Sequence, residues 1–183
     1  CSTMSKLLDD LLDLNRITNE KIELDLQDVN FSSLVQNIIV SSNDMFVKKQ
    51  QKLKSEIDAN MMVRGDSVRL EQIVYNLLNN ASKYTPPKKN ILVHLFEEDG
   101  QVVLQVKDEG VGIEEQWLER VFEPFFQIKQ ERKALSGLGI GLALSKKLTW
   151  TNKSHTSAQM AEFEELAASG EKARERARAG DRW

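Results

Sequence analysis

The feature that most constrains this chain is one long segment, Asp66 to Tyr84 (DSVRLEQIVYNLLNNASKY), set between a helix-starting residue and a proline pair. Asp66 or Ser67 supplies an N-cap, and Pro86 and Pro87 forbid continuation of a helix. At about 100° per residue, Leu70, Val74, Leu77, Leu78 and Ala81 share one face, which must be covered by a core. Arg69, Asn76, Asn80, Lys83 and Tyr84 share a neighbouring face, about a third of a turn away. A solvated face is more usually Glu and Lys; this one holds two amides, an amine and a phenol. An Asn carbonyl oxygen can ligate Mg²⁺, a Lys can meet phosphate as a point charge, and a Tyr ring offers a surface for a purine. The alternative is that both Asn side chains simply hydrogen-bond nearby loops.

Around that helix the pattern is mixed. Residues 22–26 (IELDL) and 52–58 (KLKSEID) alternate like strands, and Phe31 to Phe46 is periodic like a helix. Ile91–Glu97 and Gln101–Lys107 read as a hairpin across Glu98-Asp99-Gly100. A last apolar helix is expected over about Ile140–Leu148. Helices mixed with antiparallel strands imply a two-layer α/β sandwich, an α+β fold. Residues 4–18 carry Met4, Leu7, Leu8, Leu11, Leu14 and Ile17 at helical spacing, with Asp9, Asp10 and Asp13 opposite. That narrow stripe suits a coiled-coil-type partner helix, or else a helix packed on its own domain.

Composition bounds the function. The chain has 183 residues, 40% hydrophobic and 29% charged, with a formal net charge of −3. This balance carries no nucleic-acid footprint and no polybasic membrane patch. No apolar run reaches the ~20 residues a membrane span needs, and no signal peptide is visible. The one cysteine, Cys1, cannot form an internal disulfide, so a cytoplasmic setting is expected. A start at Cys rather than Met suggests a fragment, with any membrane anchor lying upstream.

Two glycine boxes carry the chemistry. The second hairpin strand runs into Asp108-Glu109-Gly110-Val111-Gly112-Ile113, where glycines permit close backbone approach and a carboxylate can accept from an exocyclic amine such as adenine N6. The competing reading is a plain turn with an Asx cap. Gly137-Leu138-Gly139-Ile140-Gly141-Leu142 then opens the last helix, whose N-terminal N–H groups and dipole suit phosphate. The string fits neither a P-loop nor a Rossmann turn. Between the boxes, Val121-Phe122-Glu123-Pro124-Phe125-Phe126 reads as the apolar foot of a loop. The polar stretch 127–136 reads as a lid with Lys129, Arg132 or Lys133 near a terminal phosphate, or as a solvated loop.

In that order, RLEQIVYNLLNNASKYTP, VKDEGVGI, VFEPFFQ and GLGIGLALSKKL resemble the catalytic ATP-binding domain of sensor histidine kinases, within the ATPase superfamily shared with DNA gyrase. The resemblance covers roughly residues 4–148. It implies a mixed sheet under three helices. It also implies residues 1–20 as the second helix of a dimerisation and phosphotransfer hairpin, 21–148 as the ATP-binding domain, and 149–183 as an atypical tail. The implied cofactors are ATP and Mg²⁺, with Asn80 as the metal ligand and Asn76 beside it. Lys83 would touch phosphate, and Tyr84 would pack on the nucleotide. Asp108 would read the adenine amine, in a pocket shaped by Gly110, Gly112 and Ile113. Gly137, Leu138, Gly139 and Gly141 would form the lid hinge and phosphate cradle. The implied partners are dimerisation helices of the same kinase family and a response-regulator receiver domain.

One difference from the superfamily's hydrolases and two departures from the family refine that expectation. Hydrolases of the superfamily place a water-activating Glu one turn before the metal-binding Asn; Asn76 stands there, and an amide is no general base at neutral pH. This favours phosphoryl donation over ATP hydrolysis. The family's acceptor histidine is missing, since His94 and His155 are the only histidines and neither is followed by an acidic residue. After Leu148 the family's Gly-Gly turn and final strands are not recognisable, so an incomplete sheet is expected. A serine kinase of the anti-sigma type and a catalytically impaired dimerisation remnant are the alternatives.

Overall fold

The computed structural model describes residues 24–128 and 139–153. The expected leading helix, the tail beyond 153, the lid residues Lys129, Arg132 and Lys133, and Gly137 and Leu138 lie outside them. Within the described residues the order is β1 (Gln27–Asn30), α1 (Phe31–Lys48), β2 (Lys52–Ile57), β3 (Met62–Gly65), α2 (Ser67–Tyr84), β4 (Asn90–Glu98), β5 (Gln101–Asp108) and α3 (Gly141–Lys153). Two short 3₁₀ turns, Glu115–Trp117 and Arg120–Phe122, occupy the loop before α3.

Each of the first two helices starts on a side-chain cap. Asn30 accepts from Ser33 N at 2.9 Å to open α1. Asp66 accepts from Val68 N and Arg69 N at 3.0 and 3.1 Å to open α2, satisfying donors that a helix's first turn cannot pair internally. The strands form an antiparallel pair, β1–β3, and a three-stranded mixed sheet, β2–β4–β5, with β2 parallel to β4 and β4 antiparallel to β5. The β4–β5 turn is Asp99-Gly100, with φ of 51° and 75°. Two left-handed residues in a two-residue loop match the right-handed twist of the flanking strands.

The core forms where helix stripes meet the sheet. Phe31, Val35, Ile38 and Phe46 of α1 and Leu70, Val74, Leu78 and Ala81 of α2 bury against Ile91, Val93 and Leu95 of β4. Alternation along β4 sends those three inward and leaves Leu92, His94 and Phe96 on the other face. His94 stacks on Phe96 at 4.4 Å, which suits a sheet residue. One layer of helices on one face of a mixed sheet, with α3 against α2, matches the expected two-layer sandwich.

Four details differ from the sequence reading. Residues 24–26 are irregular, and pairing begins at Gln27 opposite Gly65. The partner strand β3 cannot extend that pairing, because the next residue, Asp66, caps α2. β3 itself is four residues long, too short to show a period. Helix α3 runs to Lys153, past Leu148, since no Gly or Pro stops it there. On α2, Ile73 is buried at 1% exposure while Leu77 is only half-buried. Ile73 lies outside the helix–sheet core, as do the buried Ile140, Ala143, Leu144 and Leu148. Helix α3 covers that flank of α2.

Candidate functional site

Helix α2 brings both glycine boxes to its amide-bearing face. At one end, the Asn76 amide lies beside the start of α3, with Nδ2 3.4 Å from the Gly141 carbonyl oxygen. At the other end, Gly110 sits so close to the last turn that a Cβ there would meet the Tyr84 carbonyl oxygen at 2.9 Å. Asn80 is four residues from each of these contact points, so about 6 Å of helix separates it from either. The two loops therefore flank Asn80, one turn away on each side.

The side chains on this face have different environments. Asn76 is buried at 9% exposure and spends its amide on the α3 backbone. Asn80 is half-buried, and among the described residues no partner holds its amide. Lys83 and Tyr84 are half-buried, and the Lys83 ammonium lies 5.0 Å from the Tyr84 ring centroid. That is cation–π range and keeps the charge at the C-terminal end of α2, where the helix dipole also favours it.

The first glycine box is built by short-range hydrogen bonds. Asp108 ends β5, exposed, and its Oδ1 accepts from Gly110 N at 2.7 Å. The Asx turn of the competing reading is thus present, and it uses one carboxylate oxygen; the other accepts no hydrogen bond among the described residues. Gly112 has a φ of 70°, and Ile113 is half-buried beside it. Glu109 clamps the neighbouring strand: Oε2 accepts from Asn90 N and Oε1 from Asn90 Nδ2, both at 2.9 Å. These two hydrogen bonds hold the Glu109 carboxyl below the usual glutamate value, with the Lys89 and Lys52 charges adding to the effect.

The second box rests on the Phe-rich loop. Gly139 has a φ of 72°, and a Cβ there would lie 2.6 Å from the Phe126 carbonyl oxygen. Phe125 N donates to the Gly139 carbonyl at 2.9 Å. The Arg120 guanidinium lies over the rings of Phe126 and Trp117, at 4.4 and 5.5 Å. Phe126 therefore packs, as the apolar-foot reading expects. Phe125 does not: it is 58% exposed with a φ of 66°, because its backbone is turned toward Gly139. Lys146, in the first turns of α3, reaches over Phe122 at 5.0 Å.

Sequence reasoning missed the supports of this site: the Glu109–Asn90 clamp, the Arg120 stack, and a buried glutamine, Gln51, at the end of α2. The clamp and the glutamine join segments distant in sequence, and the Arg120 stack forms within a loop that has no regular period.

The family described as histidine kinase-, DNA gyrase B- and HSP90-like ATPase matches residues 65–172. The chain belongs to this ATPase family. The match includes α2 and both glycine boxes, and it extends past Leu148. Among known proteins, the chain is 32% identical over 148 residues to an aerobic respiration control sensor protein ArcB homolog of Haemophilus influenzae, covering 80% of this chain and 45% of that protein. It is 31% identical over 150 residues to the sensor histidine kinase RcsC of Escherichia coli, covering 80% of this chain and 16% of that one. The chain thus spans less than half the length of these relatives. The full-length structure of ShkA in complex with AMPPNP superposes with a TM-score of 0.68 at 27% identity, over 79% of this chain and 30% of that one. Fold and sequence together are those of a sensor histidine kinase catalytic domain. No described helix is long and apolar enough to cross a membrane.

Proposed function

We propose that this domain binds Mg·ATP between α2 and the two glycine boxes and presents the γ-phosphoryl group to a histidine on a dimerisation helix. The observation that carries this reading is the position of Asn80, an amide with no described partner, flanked by both boxes at one helical turn. An open carbonyl oxygen there suits a hard cation, and Mg²⁺ held by Asn80 would offset phosphate charge. Lys83 supplies a second positive charge on the same face. The Asp108 oxygen left over from the Asx turn suits the adenine amine. The N-terminus of α3, with the first-turn N–H groups from Gly141 onward, suits a phosphate. The AMPPNP in the ShkA structure and the sensor kinase relatives support the same ligand class.

Donation rather than hydrolysis follows from Asn76. It is buried against Gly141 and carries no proton-accepting group, so nothing at that position activates a water. The acceptor is a histidine other than His94, which is stacked within the sheet. A dimerisation helix of the same kinase family would bring it, and a response-regulator receiver domain would take the phosphoryl group onward.

Calorimetric titration tests the reading. Mg·AMPPNP is expected to bind, and AMPPNP in excess chelator to bind at least tenfold more weakly. Incubation with Mg·ATP and a separately supplied acceptor helix should yield acid-labile phosphate on that helix. No nucleotide binding, or acid-stable phosphate on a serine, would overturn it.

A further inference from the structure

Gln51 lies in the turn between α1 and β2, buried at 7% exposure. Its backbone is fixed by α1, with Gln51 N donating to Phe46 O at 3.0 Å. Its side chain crosses to the end of α2. Nε2 donates to Ser82 O at 3.0 Å and to Thr85 O at 2.6 Å, and Oε1 accepts from Ser82 Oγ at 3.0 Å. Lys49 Nζ also donates to Ser82 O, at 2.5 Å.

The last carbonyls of a helix need donors, and glycine commonly ends the helix so that following N–H groups supply them. Here Pro86 and Pro87 follow, with no N–H to give, and Thr85 is extended at φ −83° and ψ 129°. Gln51, helped at Ser82 by Lys49, provides the missing donors from over thirty residues away. Its amide brackets Lys83 and Tyr84 by binding the carbonyls on either side of them. The Tyr84 carbonyl is the surface on which Gly110 sits, with no room for a Cβ. Gly110 in turn fixes Asp108 through the Asx bond.

We infer that Gln51 is a positioning residue for adenine recognition, acting through Ser82, Thr85 and Tyr84 on the Asp108 loop without touching the nucleotide. This deepens the proposed function and rests on it. Removing the amide leaves the buried Thr85 carbonyl without this donor and the Ser82 carbonyl with Lys49 alone, and the last turn of α2 shifts to find others. That shift moves the base-reading end of the site and leaves Asn80, a turn earlier, in place.

The test compares AMPPNP with GMPPNP, each with Mg²⁺, by calorimetry at a temperature where far-UV circular dichroism shows every variant folded. The wild-type protein is expected to prefer AMPPNP. In Gln51→Leu the AMPPNP affinity should fall about tenfold while GMPPNP changes little, so that the preference collapses. Ser82→Ala keeps both carbonyls and Gln51 but removes the hydroxyl that orients its amide. It should lose the same preference to a smaller extent, and it serves if Gln51→Leu fails to fold. Parallel weakening of both analogues, or an unchanged preference, would overturn the positioning role and leave the nucleotide site intact. A wild-type protein with no adenine preference would remove the proposed base reading and this inference with it.

Discussion

The Asn76 amide touches the first residue of α3, 3.4 Å from the Gly141 carbonyl oxygen, and a Cβ added at Gly141 would meet the Asn76 Cγ at an ordinary 3.5 Å. The position where hydrolases of this superfamily carry a base is thus a bracket between two helices. Asn76→Glu should not create an ATPase, because a carboxylate there would face a carbonyl oxygen in a buried site. The expected result is a loss of about 1–3 kcal/mol in stability with no gain in phosphate release. Asn76→Ala should cost less, about 1 kcal/mol, since it removes one long hydrogen bond without burying a charge. Thermal melts and a phosphate-release assay check both.

Two glycines in left-handed conformation separate backbone strain from close approach. Gly100, in the β4–β5 turn, has a φ of 75°, and a Cβ added there would meet nothing within 4 Å. Gly139 has nearly the same φ, 72°, with the Phe126 carbonyl oxygen at 2.6 Å from the same added atom. Gly100→Ala should cost about 1–2 kcal/mol, the strain alone. Gly139→Ala should cost roughly twice that or separate the Phe-rich loop from α3, and it should weaken nucleotide binding where Gly100→Ala does not. Denaturant melts with parallel calorimetry distinguish the two.

Much of this was legible because it is periodic or locally capped. The amide face of α2, its Asp66 cap, its proline stop and the Asp99-Gly100 hairpin each follow from neighbours in sequence. What stayed hidden depends on which segments meet. Ile73 lies angularly between the two faces of α2, and only the packing of α3 makes it a core residue. Leu77, on the predicted core side, is left half-buried. Gln51 is a polar residue in a turn until the end of α2 arrives beside it. The Asp108 carboxylate had two readings in sequence, an Asx cap or a ligand acceptor: Oδ1 makes the cap with Gly110, and Oδ2 accepts no hydrogen bond among the described residues, so the second reading rests on the proposed function.

Glu109 predicts a pH dependence whose sign follows from its clamp on Asn90. Its carboxyl is held below the ordinary value of 4.5, first by the Asn90 backbone and side-chain hydrogen bonds. A depressed carboxyl stabilises the fold above its unfolded-state value, and that contribution disappears as pH falls through the folded-state value. Wild type should therefore be more stable than Glu109→Gln at neutral pH. The difference should shrink as pH drops below 4.5 and vanish in stronger acid. Urea melts of both proteins between neutral and acid pH measure it, and a constant difference across that range would show that the clamp does not depend on the charge.

Asn80 and Asp108 predict opposite kinds of loss. Asn80 is half-buried with no described partner, so Asn80→Ala should leave stability within about 0.5 kcal/mol of wild type. Its effect should fall on the metal: AMPPNP binding in the variant should no longer respond to Mg²⁺. Asp108→Ala removes both the Asx acceptor for Gly110 and the open oxygen, so it should lose about 1 kcal/mol of stability as well as adenine affinity. Its residual binding should remain Mg²⁺-dependent. Titrations of AMPPNP with and without Mg²⁺ in each variant separate the two effects, and a Mg²⁺ response that survives in Asn80→Ala would take the metal away from that residue.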